Sequence, residues 1–168
     1  MRSWLAAIAL TLLGGCTPPD DPDNIPERGH WESSVRLVAL TIDDRAVTRE
    51  EVPFAMPPDK REDRGCVEPR LRTMEEANAT IANLSKVDCR FESLNLDGNA
   101  IAGGGRCAPQ AKAGVSVGAT FTVNGDEAPD RIHSLLELNA YAHLQDGQTV
   151  RVHTAYVIDW KRLSACSR

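Results

Sequence analysis

The stretch "CRFESLNLDGNAIAGGGRC", residues 89–107, decides the fold. Two runs suited to strands flank Asp97-Gly98, and Asp-Gly between such runs is a strong short-range hairpin signal, because a tight turn needs residues that accept positive φ. The pattern continues in "GVSVGATFTV-NGDEAPD-RIHSLLELNAYAHL-QDG-QTVRVHTAYVIDW", residues 114–160, where Asn124-Gly125 and Asp146-Gly147 predict two further turns separating three strands. The result is an antiparallel meander. Val152, Tyr156 and Ile158 make one parity of the last strand apolar, and Ala155 and Val157 do the same for part of the other. That pattern predicts a curved sheet covered by a helix on one side and by something else on the other.

Upstream, "HWESSVRLVAL", residues 30–40, places Trp31, Ser33, Val35, Leu37 and Ala39 on one parity and Glu32, Ser34 and Arg36 on the other, as in a half-buried strand. Residues 41–65 are rich in charge, and the prolines of "EVPFAMPPDK" make the segment a loop or irregular edge rather than a central strand. The helix is predicted over residues 73–86. Thr73 and Glu76 have capping-box spacing, and Met74, Ala77, Ile81 and Leu84 recur on one face. The predicted fold class is therefore α+β, mainly antiparallel β: a curved meander sheet of about five to seven strands packed on one helix and braced by disulfides.

The N-terminus carries an address. Arg2 precedes the apolar run Trp4–Leu13, which has the length of a signal-peptide h-region and is too short to span a bilayer. "LGGC", residues 13–16, resembles the lipobox of bacterial lipoproteins, in which the cysteine is diacylated and the chain is cut just before it. The expected organisation is a signal peptide over residues 1–15, a lipid-anchored Pro/Asp-rich tether over 16–29, and a single domain over 30–168. Several acyl chains on Cys16 give a stable anchor without a transmembrane helix, because each buried CH₂ adds about 0.8 kcal/mol. Thr17, rather than an aspartate, follows Cys16. By the enterobacterial sorting rule this favours the outer membrane over the inner, with the domain facing the periplasm.

Removing residues 1–15, which carry one arginine and no acid, takes the formal charge from −5 to −6. The basic residues are scattered, so the composition argues against a nucleic-acid binder or an electrostatic membrane patch. Four cysteines remain once Cys16 bears lipid: Cys66, Cys89, Cys107 and Cys166. An even count in an exported domain, without close CxxC or HxxxH pairs, points to two disulfides rather than a metal site. Cys89 starts the first hairpin strand and Cys107 ends the second, so both lie at its open end. A three-residue loop Asp97-Gly98-Asn99 would bring them opposite each other; a two-residue loop misses by one, a slip that a bulge at Gly103–Gly105 would absorb. The meander then ends with Cys166 at the opposite end of the sheet, where Cys66 precedes the helix. This favours Cys89 with Cys107 and Cys66 with Cys166. The rival pairing, Cys66 with Cys89 and Cys107 with Cys166, would brace the helix and close the sheet, and a strongly curled sheet leaves it open.

The sequence carries few signals of chemistry. His30, His133, His143 and His153 form no HxH, HxxxH or HExxH spacing, and the Asp146-Gly147 turn places His153 opposite Ala140. Ser33, Ser34, Ser134 and Ser164 lack the G-x-S-x-G context of an exposed nucleophile. The glycine run at 103–105 lies inside a strand, not between a strand and a helix, so it does not cradle phosphate. Trp31 and Trp160 read as core anchors at the rim of the sheet. His133 and Glu137 are expected on the parity facing Trp160, as a polar patch on an apolar face. No cofactor or metal is implied, and no catalytic constellation is found.

Several short motifs recur together: "GHWE" at 29–32, "CVEP" at 66–69, "DC" at 88–89, "DG" at 97–98, "RC" at 106–107 and "RLSAC" at 162–166. Their order and spacing resemble the bacterial family known as domain of unknown function 3617. The resemblance spans nearly the whole mature chain and departs only where Ser164 or Ala165 replaces a glycine before the last cysteine. It implies a small exported protein, often a lipoprotein, and brings no activity. The expected function is a membrane-anchored cell-envelope lipoprotein acting as a noncatalytic binding or structural module for a protein or envelope component. The alternative is a carrier of a small apolar ligand or lipid.

Overall fold

The computed structural model describes residues 25–52, 59–85, 88–112 and 115–166; the predicted signal peptide, Cys16 and the tether up to residue 24 lie outside them. Eight strands form one antiparallel sheet: β1 (Gly29–Ile42), β2 (Arg45–Ala46), β3 (Lys60–Val67), β4 (Cys89–Asp97), β5 (Ala100–Lys112), β6 (Val115–Ala128), β7 (Arg131–His143) and β8 (Thr149–Ser164). The spatial order is β2-β1-β8-β7-β6-β5-β4, and β3 shares with β2 the outer edge of β1. The stretch from β4 to β8 is a continuous meander, and β1 closes onto its last strand. One helix, α1 (Met74–Ser85), packs against β4 at one margin. The α+β, mainly antiparallel reading holds, with eight strands in place of five to seven.

Cross-strand register sorts the side chains into two faces, since residues directly opposite share a face. The inner face carries Trp31, Val35, Leu37, Leu40, Ile101, Cys107, Phe121, Leu136, Ala140, Val152, Tyr156 and Ile158. Most of the buried apolar residues lie there. Two clusters anchor it. Cys89, Cys107 and Phe121 gather Ile81 of α1 with Phe91, Leu136 and Leu138, and Phe91 meets Phe121 edge to face at 5.0 Å. Leu40, Val52, Ala140 and Val152 form the second, with Val47, Val117 and Val150 packed against them.

The helix begins as its capping signal dictates. Thr73 Oγ1 accepts from the Glu76 amide at 3.2 Å, while Glu76 Oε2 accepts from the Thr73 amide at 3.1 Å. Ala77 is fully buried and Ile81 reaches the cysteine cluster, but Met74 of the predicted stripe is exposed. Its position in the first turn carries it past the margin of the sheet.

Several local expectations are corrected. The first hairpin has a two-residue loop, Gly98-Asn99, with Asp97 opposite Ala100 and Gly98 at φ +59. The extra residue that brings Cys89 opposite Cys107 is Glu92, on β4, facing the glycine run rather than within it. The glycines supply clearance instead: a Cβ on Gly105 would overlap the Arg90 carbonyl oxygen and sit 2.8 Å from Phe121 Cζ. The predicted Asn124-Gly125 turn does not form. β6 runs on to Ala128 and turns at Pro129-Asp130, because proline presets φ for a turn and cannot continue the ladder. Gly125 is there because a Cβ would collide with the carbonyl of His133 on β7.

β1 keeps its predicted alternation from Trp31 to Leu37. A bulge at Val38 then inverts it, so Leu40 and Ile42 face inward and Ala39 faces out beside Ala155. Within the segment read as loop, Asp43-Asp44 make a tight turn with both φ positive, at 47 and 66, and β3 lies along the edge of β1. The unbroken run of charged side chains of β3, Lys60 to Arg64, protects that edge from pairing with another strand. The predicted tether is partly docked: the Glu27 amide donates to the Pro129 carbonyl at 3.0 Å, and Trp31 Nε1 donates to the Glu27 carbonyl at 3.1 Å.

Candidate functional site

Cys89 and Cys107 lie directly opposite on β4 and β5, with Cα atoms 3.8 Å apart, and are disulfide-bonded. Cys66, at the end of β3, is bonded to Cys166 just beyond β8, with Cα atoms 5.7 Å apart and a sequence separation of 100. The favoured pairing is therefore the observed one. The first bridge is buried in the aromatic cluster under α1; the second lies near the surface and ties the edge strand β3 to the end of the chain. Cys16 lies outside the described residues.

The most unusual side chain was missed by the sequence reading. Glu127 stands on the inner face of β6, opposite Ile132 of β7, which in turn faces Trp160 of β8. It is 1% exposed, and neither carboxylate oxygen has a hydrogen-bond partner among the described residues. Arg72 Nη2 approaches Oε1 to 3.5 Å. Burial pushes the Glu127 carboxyl above its ordinary value, and the Arg72 charge opposes that in smaller measure. The parity of Phe121, Val123 and Gly125 would have placed Glu127 inward, but reading Asn124-Gly125 as a turn removed it from the strand.

Trp160 lies two strands from Glu127, beyond Ile132, and Trp31 is on β1, one strand further. Their rings meet edge to face at 6.5 Å, and Trp31 is almost fully buried. Both belong to the inner face, as core anchors at one end of the sheet. His133 and Glu137 do not join them. In the observed register His133 pairs with Asp159 and Glu137 with Ala155, so both point from the outer face, away from Trp160. The predicted polar patch on the apolar face is thus corrected to a polar outer face.

That outer face is an array of short polar contacts. His133 Nδ1 lies 2.5 Å from Asp159 Oδ1, His153 Nδ1 lies 3.1 Å from Asn139 Oδ1, and Glu137 sits between Thr122 at 3.5 Å and His153 at 3.9 Å. His153 faces Asn139 rather than Ala140, because the loop after His143 runs through five residues and shifts the ladder by one. His143 is held by Thr149 at 2.8 Å. These contacts satisfy pairs of neighbours. Among the described residues they do not converge on a point that would hold a metal ion.

Two grooves flank β4. One, of about 440 Å³, lies between α1 and the strand and is lined by Glu75, Asn78, Ala82, Asp88, Cys89 and Arg90. The other, of about 400 Å³, crosses the sheet near Asn95, Gly104, Thr122 and Asn124. Both are open to solvent and mixed in polarity. Comparison of the chain with protein-family models, with curated proteins and with solved structures finds no match.

Proposed function

We propose that the chain is a cell-envelope lipoprotein, anchored in the membrane through an acylated Cys16, whose open curved sheet acts as a noncatalytic binding or structural module. The observation that carries the reading is the pair of disulfides, since such bridges persist in oxidising compartments such as the periplasm. The lipobox-like "LGGC" upstream supplies the anchor, and Thr17 after it supports the outer membrane. The reading extends the resemblance to domain of unknown function 3617 and takes the chain as a member of that family. Its partner is a protein or another envelope component. The open, mixed-polarity grooves support surface binding over a carrier role, which calls for an enclosed and mostly apolar cavity.

Intact-mass spectrometry of the protein released from host membranes, before and after reduction, tests this reading. The expected species starts at Cys16, carries acyl chains and exposes four thiols only on reduction; Cys16→Ala moves the protein out of the membrane fraction. An unmodified Cys16, or free thiols before reduction, overturns the reading. A lipid recovered by organic extraction of the purified domain would replace the module with the carrier.

A further inference from the structure

Residues 68–73 run from the Cys66–Cys166 bridge to the first turn of α1, fixed at one end by the disulfide and at the other by the capping box. Along this strap Pro69 is buried, Glu68 pairs with Arg70 at 2.7 Å, and the Thr80 hydroxyl donates to the Arg70 carbonyl at 3.5 Å. Arg72 extends from it to Glu127 on the inner face of β6. We propose that seating of this strap on the sheet is set by the charge on Glu127: protonation of the carboxyl seats the strap and ionisation loosens it.

An ionised carboxylate out of water is costly unless hydrogen bonds and a close counter-charge replace its hydration. Glu127 has no hydrogen bond to either oxygen among the described residues, and its cation is 3.5 Å away on a side chain that is 40% exposed and so keeps part of its hydration. The other charged groups nearby are engaged elsewhere. Glu27 pairs with Arg162 at 3.3 Å and Arg61 with Asp63 at 2.6 Å, while Asp126, Arg131, His133 and Lys161 belong to the outer face. Lifting the strap readmits water to the carboxylate and releases this cost, which the neutral acid does not bear. Ionisation therefore favours the lifted strap, and linkage requires the seated strap to favour the proton. The upward displacement of the Glu127 carboxyl by burial has the same sign.

Hydrogen exchange of the full, disulfide-intact domain between pH 5 and 8, corrected for intrinsic exchange, tests the proposal. Peptides covering residues 67–76 are compared with peptides from β7 and β8. Protection of the strap should fall as pH rises, by at most about tenfold per unit, the slope set by one proton. Protection in β7 and β8 should stay level. Glu127→Gln should hold the strap protected across the range, and Arg72→Met should enlarge the fall, because the ionised carboxylate then lacks its cation. Strap protection independent of pH in the parent, a pH response surviving in Glu127→Gln, an unchanged response in Arg72→Met, or loss of protection in β7 and β8 in step with the strap would each overturn it.

Discussion

The double substitution Cys66→Ser, Cys166→Ser isolates the effect of a covalent link. Cys66 is exposed and Cys166 half-buried, so neither thiol fills the core, and serine at both positions leaves no buried hydroxyl. The change then acts chiefly on the unfolded chain, in which the bridge closes a loop spanning 100 residues. The loop-entropy relation assigns such a closure about 4.7 kcal/mol. That is a large share of the roughly 5–15 kcal/mol that a domain holds in reserve. With a urea m-value near 2 kcal/mol/M, the unfolding midpoint should fall by about 2 M. The m-value itself should rise, because the unlinked denatured chain exposes more surface. Equilibrium urea unfolding followed by tryptophan fluorescence measures both. A loss below about 1 kcal/mol with an unchanged m-value would refute the reasoning, since it would mean that the linked and unlinked denatured chains are equally compact.

Four further substitutions read the packing. Phe121→Ala removes the ring that joins the cysteine cluster to Phe91 and should cost about 3–5 kcal/mol in the same assay; a loss under 1 kcal/mol would mean that the cluster collapses around the gap. Gly105→Ala should cost about 3 kcal/mol because its methyl overlaps the Arg90 carbonyl, whereas Gly118→Ala, with nothing within 4 Å, should stay within about 0.5 kcal/mol; equal effects would show that the β4–β5 spacing adjusts freely. Tyr156→Phe should be neutral or stabilising by up to about 1 kcal/mol, since it deletes a buried hydroxyl without a partner among the described residues. A clear destabilisation would reveal a partner for that oxygen.

Features written in adjacent residues were legible in the sequence. Thr73 and Glu76 mark the start of α1, and the alternation around Asp97-Gly98 and Asp146-Gly147 marks the hairpins that pair Cys89 with Cys107 and carry Cys166 back toward Cys66. What escaped depends on partners distant in sequence. Val38 gives no sign that it will bulge, since the inversion lies in the register of β1 against β8. Gly125 looked like a turn residue but answers the approach of the His133 carbonyl, and that misreading hid Glu127. A charged residue on a core parity is locally indistinguishable from a solvated one until the strand's length is known. The strap that brings Arg72 to it comes from more than fifty residues away.

The bridge between Cys66 and Cys166 has a consequence for damage. α1 and every strand from β4 to β8 lie inside the covalent ring it closes. A protease that cuts once anywhere within that ring produces no separable fragment, and the nicked chain keeps its full mass until it is reduced. A cut between β1 and Cys66 behaves differently: β1 then stays with the sheet only through its pairing with β8 and β3. Proteolytic damage is thus borne unequally along the chain. The stretch between β1 and Cys66 is the place where one cut leaves the N-terminal strand without a covalent tie to the rest of the molecule.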